Sequence, residues 1–366
     1  MSHNATPHAR IATLDLLRLV AALAVVGFHY LFRGAAAEPY LAAGYPEAAP
    51  YAIYLYLGVN LFFLISGFVI SASAEGRTWQ RFAVARFARV YPGFVVCMLL
   101  TALVLAVAQT SLMPISARQV LANLVIFAPA LGEPFVDGVY WSIVLELVFY
   151  GWVALAVAAG VFSRFKLELV TVWLLVCAAN EFLLGSGALR LLFLTEYGPL
   201  FAGGILMHHV ATRGRSAEAL LLIAAAFLLS THNMQIMQAW MIGHYGTAVP
   251  LAGLVAANVL MHAMLAAAIL LARYVPSTPA LIMLGGITYP LYLLHQHIGY
   301  VAINALAPAI GPWPAALATT AAMLLLSYAV WRFAERPGQR LALSVLQPLA
   351  ERLTARLPFG LAGGTR

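Results

Sequence analysis

Charged residues are scarce in this 366-residue chain, at 9% of the sequence, whereas hydrophobic residues make up 63%. A soluble globular domain carries roughly 25% charged residues. So much apolar surface needs lipid around it, and lipid admits only helices and closed barrels as spanning structures. Alternating ten-residue strands are absent, and long runs of Ala, Leu and Val dominate. The sequence therefore predicts an all-α membrane protein and excludes a soluble domain.

Cysteine is equally scarce, because Cys97 and Cys177 are the only two in the chain. Each lies within an apolar run, without a Cys or His at metal-ligand spacing. We interpret both as small hydrophobic residues of helices. The sequence thus predicts no disulfide framework, no metal site and no haem attachment. It also lacks a repeat of 20–50 residues and a second, soluble domain.

Ten segments are long and apolar enough to cross a hydrocarbon core of about 30 Å, which takes around 20 residues. The predicted spans are 11–31, 51–73, 90–111, 140–162, 166–187, 191–211, 216–231, 247–273, 284–309 and 313–334. The seventh is the shortest of them. The apolar stretch 117–131 is too short to span, and we expect it to lie at the membrane interface or to re-enter.

Basic residues predict the orientation of these spans, since loops rich in Lys and Arg stay cytoplasmic. With the N-terminus inside, sixteen of the 20 basic residues fall in inner segments and three in outer loops. Both termini are therefore predicted to be cytoplasmic. The net charge of +7 is then explained by the basic residues of the inner segments. It indicates a membrane-lipid environment and no nucleic-acid partner. The predicted parts are an inner segment 1–10, a membrane domain 11–338 and a basic amphipathic tail 339–366.

The start of the chain can also be read as a secretory signal peptide, with an apolar run ahead of the small residues 35–37. However, Asp15, Arg18 and His29 lie within that run. The apolar core of a signal peptide tolerates such residues poorly. We therefore interpret the run as the first membrane span.

The same three residues are the first candidate site, because ionisable groups within a membrane are costly and indicate function. Eleven residues separate Arg18 from His29, which is within about 20° of three helical turns, and the axial distance is about 16 Å. Asp15 precedes Arg18 by three residues, so that the two can pair. The alternative is an ion pair at the helix end and one buried structural histidine.

A second segment, WSIVLELVFY, carries Trp141, Ser142 and Glu146 into the fourth span. Glu146 lies roughly as deep as His29, where a carboxylate can orient an imidazole or bind an acceptor hydroxyl. The alternative is a packing carboxylate that is bonded to neighbouring hydroxyls.

Two further segments lie at the inner half of the second and third spans. Ser66 lies in GVNLFFLISGFVI, where Ser-Gly permits close helix approach. Arg86 and Arg89 in RFAVARFARVYP share one helix face, where arginines bind phosphate through paired hydrogen bonds. They are equally explained as positive-inside anchors.

The last segment, GGITYPLYLLHQHIGY, contains Tyr289, Tyr292, His295 and His297 in a span interrupted by glycine and proline. His295 and His297 do not share a helix face, so a two-histidine metal site is not expected. The motif FAERP, with Glu335, closes the tenth span near the inner arginines.

In order, LDLLR…H, FFLISGF, RFARVYP, WSIVLELVFY, ITYPLYLLH and ERP resemble the acyltransferase-3 family of integral membrane O-acyltransferases, over about residues 11–338. Members acetylate exopolysaccharide, O-antigen, nodulation factors or macrolides in bacteria. The resemblance implies acyl-CoA, usually acetyl-CoA, as donor, a sugar or lipid-linked glycan hydroxyl as acceptor, and the bacterial inner membrane as location. It implies His29 as the essential histidine, Arg18 as the matching arginine, and Arg86 and Arg89 as the pair linked to CoA binding. Together with the segments above, the sequence predicts three sets of site residues: catalytic His29, Arg18, Glu146 and Asp15; cofactor-binding Arg86, Arg89, Ser66 and Tyr91; and substrate-binding Trp141, Ser142, Tyr292 and His295.

Two questions stay open at this stage. His29 can act as a general base or can itself carry the acyl group. Intramembrane Arg, Glu and His also suit a transporter or flippase of a glycan or anionic lipid. Such transporters often show two similar halves with broken helices at matching positions. No such pairing is visible here, and the enzyme is the favoured interpretation.

Overall fold

The computed structural model describes residues 11–355 and contains, within that range, helices and no strand. Its long helices are α1 (Ala12–Leu31), α2 (Gly58–Ala74), α3 (Trp79–Ala108), α4 (Trp141–Ala158), α5 (Lys166–Ala179), α6 (Gly198–Arg213), α7 (Ala217–Tyr245), α8 (Leu251–Leu271), α9 (Pro279–Ile310), α10 (Pro312–Val330) and α11 (Arg336–Ala355). Short α-helices cover Ala49–Ala52, Ala117–Asn123 and Gly187–Phe193, and π-helical turns cover Asn180–Leu184 and Trp331–Glu335. Short 3-10 helices cover Arg33–Ala35, Ile53–Leu57, Ala128–Leu131 and Gly138–Tyr140. The predicted segment 1–10 and the end of the predicted tail, 356–366, lie outside the described residues.

Nine helical segments within residues 11–355 are long and apolar enough to cross a membrane. The chain is therefore an all-α, multi-pass membrane protein, and nine of the ten predicted spans are confirmed in this sense. The remaining one, 284–309, lies in α9, which is long enough at 32 residues but is not among the nine. Its polar side chains lower its hydropathy, and several of them, including Thr288, His295 and Gln296, are buried within the protein.

Two predicted boundaries are wrong because polar residues interrupt the apolar runs. The seventh span is not short, since α7 continues to Tyr245 over 29 residues. Asn233 in its middle is buried and donates to the carbonyl oxygens of Thr195 and Glu196 at 3.0 and 2.7 Å, so its amide has partners inside the bundle. The third span begins eleven residues earlier than predicted, at Trp79, where Thr78 caps α3.

The candidate site lies where α1 and α9 make close contact. Two glycines of α9 permit this contact. Gly285 and Gly299 are fourteen residues apart, about four helical turns, and therefore lie on one face. A Cβ atom at Gly285 would overlap the carboxyl group of Asp15, and one at Gly299 would overlap the hydroxyl group of Tyr30. Small residues that let backbones approach closely are the common device for packing helices in lipid.

The C-terminal helix α11 follows α10 through the turn Trp331–Glu335 and packs against α3. Leu341, Val345 and Leu349 are exposed at intervals of four residues, which makes one face of α11 apolar. An amphipathic helix of this kind suits the membrane surface, where the tail is predicted to lie. The location of that surface on the cytoplasmic side stays a prediction.

Candidate active site

Two cavities lie near the two ends of α1. Arg18 lines one of them and His29 the other, and the eleven residues between them span about 16 Å of helix. We call them the arginine cavity and the histidine cavity. Their volumes are about 120 and 740 Å³, respectively.

The arginine cavity brings together side chains that come from five helices. Arg18 is contributed by α1, Ser66 by α2, Arg86 and Arg89 by α3, Ser142, Glu146 and Tyr150 by α4, and Thr288, Tyr289 and Tyr292 by α9. Arg18 also forms the predicted ion pair with Asp15, at 3.4 Å between Nη1 and Oδ1. Asp15 is buried and is not part of the cavity wall, so its contact with the cavity runs through Arg18.

The arginines of α3 differ in their partners. Arg89 forms an ion pair with Glu335, which is 1% exposed and whose Oε2 has no hydrogen-bond partner within the described chain. Arg86 forms no ion pair with a described residue, its Nε is buried and unpartnered, and its guanidinium lies 6.0 Å from the Tyr150 ring centre. Arg86 is therefore the cation of this cavity that is most available to an anionic ligand.

The Arg89–Glu335 pair predicts a stability defect in a single variant. Replacing Arg89 with Leu leaves a buried carboxylate without its cation, which should lower the free energy of unfolding by about 3–5 kcal/mol. A second substitution, Glu335→Leu, removes that carboxylate and is expected to restore most of the loss. The thermal midpoint of the purified protein in one detergent measures both effects.

The matched control is Arg81→Leu, because Arg81 pairs with Glu351 on the surface, with side-chain exposures of 57 and 47%. Exposed pairs contribute about 0–1 kcal/mol. A midpoint that falls equally for Arg81→Leu and Arg89→Leu would show that burial of Glu335 does not control this pair.

Glu146 lies in the arginine cavity with two hydroxyl partners. Its Oε1 accepts hydrogen bonds from Ser66 Oγ, at 3.0 Å, and from Tyr150 Oη. No hydrogen bond between described residues joins Glu146 to His29, and the two line different cavities. The expected orientation of the imidazole by Glu146 is therefore absent, since α4 carries this residue to the arginine side.

The histidine cavity is larger and more aromatic. Its polar wall consists of His29, Arg33, Asn60, Arg190, Glu196 and Gln296, and its aromatic wall of Phe28, Tyr56, Trp141, Tyr197, Trp240, Tyr245 and Tyr292. Both arginines are already neutralised: Arg33 pairs with Glu38 at 2.5 Å, and Arg190 with Glu181 at 2.6 Å. Aromatic rings beside polar groups suit a hydroxylated ligand, and Glu196 is the acidic group of this wall.

His29 occupies the wall of this cavity at the end of α1. Its Nδ1 lies 2.9 Å from the carbonyl oxygen of Val25 and 2.9 Å from Nε2 of His295. Its own Nε2 has no partner in the part of the chain that the structure describes. The histidine that contacts it lies 266 residues away in sequence, so α1 and α9 must pack together to form the pair.

Tyr292 lines both cavities, as does Val59. Its hydroxyl group lies 2.7 Å from Ser142 Oγ and donates to the Val139 carbonyl oxygen at 3.2 Å. A ligand that extends from the arginine cavity into the histidine cavity would therefore contact Tyr292, beside Ser142. Trp141, the neighbour of Ser142, faces the histidine cavity.

Two residues that were expected to contact ligands line neither cavity. Tyr91 stacks on Phe87, and its hydroxyl group donates to the carbonyl oxygen of Leu124 at 3.0 Å. His295 is fully buried behind His29. The remaining predicted residues line one cavity or both, apart from Asp15, which contacts Arg18.

Sequence reasoning missed several residues of these walls. Tyr150 follows Glu146 by one helical turn, and this spacing was a usable signal. Glu196, Arg190 and Gln296 also line the histidine cavity. Nothing in their local sequence indicates this, because only the tertiary fold brings α9 and the segment before α6 to one cavity.

The chain is similar to a known protein family. Residues 11–332 match a family model that is described as an acyltransferase domain, and this range covers nearly the whole chain. Neither the curated proteins nor the solved structures contain a match to the chain.

Proposed function

The chain belongs to the acyltransferase-3 family, and on that premise we propose that this membrane acyltransferase moves an acetyl group from cytoplasmic acetyl-CoA to a hydroxyl group of a sugar or lipid-linked glycan. The observation that carries the proposal is the pair of cavities at the two ends of α1. One presents arginines, the other presents a histidine, and Tyr292 is common to both walls.

In this proposal the arginine cavity receives the donor. Arg86, which has no ion-pair partner among residues 11–355, binds a CoA phosphate, as guanidinium groups do through charge-assisted hydrogen bonds. The pantetheine arm then extends past Ser142 and Tyr292 and places the thioester near His29. Glu146 Oε2, to which no described residue donates a hydrogen bond, and the nearby hydroxyl groups accept and donate hydrogen bonds along the arm.

His29 has two chemical routes to the product. In direct transfer, its Nε2 accepts the proton of the acceptor hydroxyl group as the oxygen bonds to the thioester carbon. The carbon–sulfur bond breaks, and the thiolate takes that proton from the imidazolium, which yields the ester and CoA thiol. In the covalent route, Nε2 bonds to the thioester carbon and the carbon–sulfur bond breaks, which gives an acyl-imidazolium and CoA thiolate. The acceptor oxygen then bonds to the acyl carbon and the carbon–nitrogen bond breaks. The hydroxyl proton passes to the thiolate, which yields the ester, CoA thiol and neutral His29.

The predicted orientation supports a cytoplasmic arginine cavity and a histidine cavity on the opposite side of the membrane. Arg18, Arg86 and Arg89 lie toward the end of the bundle at which the basic loops occur, which the positive-inside rule places in the cytoplasm. We therefore propose that both termini face the cytoplasm of a bacterium and that the histidine cavity opens outward from its inner membrane. The acceptor then meets an aromatic wall that includes Trp141 and Trp240.

The test follows label from radioactive acetyl-CoA in membranes that contain the protein and in matched membranes without it. Label in the glycan or lipid-linked fraction, dependent on the protein, supports the proposal and identifies the acceptor class. No label in membranes of the native host, together with protein-dependent movement of glycan across the bilayer, would replace the enzyme with a transporter.

Arg86 gives a prediction for the donor step. Substituting Arg86 with Gln should raise the KM for acetyl-CoA about tenfold, equivalent to the loss of one charge-assisted hydrogen bond, with a much smaller change in kcat. Arg164→Gln is the matched control, since Arg164 lies over Phe165 and lines neither cavity. An unchanged KM in Arg86→Gln contradicts the placement of the donor.

A further inference from the structure

The two histidines of the site form a pair whose hydrogens can be assigned. His29 Nδ1 lies 2.9 Å from the Val25 carbonyl oxygen, and His295 Nδ1 lies 3.1 and 2.9 Å from the carbonyl oxygens of Leu291 and Tyr292. A carbonyl oxygen only accepts hydrogen bonds, so both Nδ1 atoms must carry hydrogen. In neutral rings both Nε2 atoms are then bare.

The contact between the rings fits this assignment and no other neutral one. His29 Nδ1 and His295 Nε2 are 2.9 Å apart, and one hydrogen must lie between them. The Nδ1–H of His29 supplies it and is shared with the Val25 carbonyl oxygen. The reverse arrangement would direct bare nitrogens at three carbonyl oxygens, which is repulsive.

We infer that His295 is a positioning residue, which accepts the Nδ1–H of His29 and thereby leaves His29 Nε2 as the bare nitrogen at the wall of the histidine cavity. His295 does not reach substrate, since it is fully buried and lines neither cavity. The consequence for catalysis rests on the proposed function, in which Nε2 is the base or the acyl carrier.

The surroundings of His295 fit such a role. Its backbone carbonyl oxygen accepts a hydrogen bond from Tyr30 Oη at 2.8 Å, and its ring lies between Tyr292 and His29, with centroids 6.0 and 4.8 Å away. Gly299, one turn further along α9, permits the contact with Tyr30. The second ring is thus held by both helices before any ligand binds.

A neutral histidine can accept the Nδ1–H hydrogen bond of His29 as well as a carboxylate can. When His29 takes a proton on Nε2, its Nδ1–H becomes a stronger donor, and the His295 lone pair accepts it. No additional charge has to be buried in the membrane interior, where an isolated charge is expensive. The pair therefore stabilises the imidazolium that both routes require.

Two substitutions at His295 separate positioning from packing. Gln places an oxygen acceptor near the position of Nε2, whereas Met has similar length and no comparable acceptor. We expect His295→Met to lower kcat on the order of 10²-fold, the lower end of what a general base contributes, with an unchanged KM for acetyl-CoA. His295→Gln should restore most of the kcat. Equal loss in the two variants overturns the inference, as does full activity of His295→Met.

The matched control is His262→Met, because His262 is a partly buried histidine whose Nδ1 lies 2.9 Å from a carbonyl oxygen of its own helix. It lines neither cavity, and its replacement should leave kcat unchanged. A kcat that falls as far in His262→Met as in His295→Met shows that the loss reflects packing and overturns the inference.

A second measurement does not depend on acyl transfer. Carbon and nitrogen NMR of histidine-labelled protein in nanodiscs reports the tautomer of each ring, and His29 is identified by comparison with His29→Gln. We expect the Nδ1–H form for His29 in the wild type. The Nε2–H form overturns the inference even if the enzyme is active, whereas the expected tautomer in a protein that transfers no acyl group refutes the proposed function and leaves the pair standing.

Discussion

Replacing His29 with Ala is expected to abolish acyl transfer, with kcat lowered by at least about 10³-fold, within the range of general-base contributions. His29 is the one histidine that lines the histidine cavity in the described part of the chain, and both chemical routes use its Nε2. The variant removes the imidazole from the cavity and leaves Glu196 as the carboxylate of the described wall. Transfer of label from acetyl-CoA, measured at equal protein level, checks this.

In His29→Ala, the binding of acetyl-CoA should change much less than kcat. The KM or the dissociation constant of acetyl-CoA should stay near the wild-type value, since the arginine cavity lies about 16 Å away along α1. His232→Ala is the control, because His232 stacks near Phe182 and lines neither cavity. Normal transfer by His29→Ala would remove this histidine from the mechanism, whereas loss in both variants would indicate a general effect of histidine removal.

Replacing Gly299 with Ala is expected to lower both the stability and the activity. The added methyl group would overlap the hydroxyl group and ring of Tyr30, so α1 and α9 must separate. Overpacking of this kind costs about 1–3 kcal/mol. The separation also breaks the Tyr30 hydrogen bond to the His295 carbonyl oxygen and lengthens the contact between His29 and His295. Thermal midpoint and kcat should fall together.

Gly151→Ala is the matched control for that substitution. Gly151 also lies within a helix, α4, but a Cβ atom there meets no neighbour within 4 Å. Alanine has the higher helix propensity by roughly 1 kcal/mol, so the thermal midpoint should stay constant or rise. A Gly299→Ala protein with wild-type midpoint and kcat would mean that the contact of α1 with α9 tolerates an extra methyl group and does not control the site.

Most of the fold could be predicted from the sequence, because a membrane constrains it strongly. Apolar runs of about 20 residues must be helices in lipid, and nine of the ten predicted spans meet this description in the structure. The failures occur where polar residues have partners elsewhere in the fold. Asn233 within α7 and the polar residues of α9 are examples, since their hydrogen bonds are invisible in the local sequence.

Parts of the candidate site were also predictable, for a local reason. Helical periodicity alone places Asp15, Arg18 and His29 along one stripe, and the Asp15–Arg18 ion pair is present in the structure. The same periodicity relates Glu146 to Tyr150. Contacts of this kind depend only on spacing within one helix, which the sequence specifies completely.

Tertiary structure alone decided which helix faces which, and hence the pairings that carry the chemistry. It placed Glu146 with Ser66, and directed Tyr91 away from both cavities. It also brought His295 to His29 across 266 residues. The physical reason is that apolar side chains in lipid specify burial but not a partner, so that the close packing at Gly285 and Gly299 determines the contact between α1 and α9.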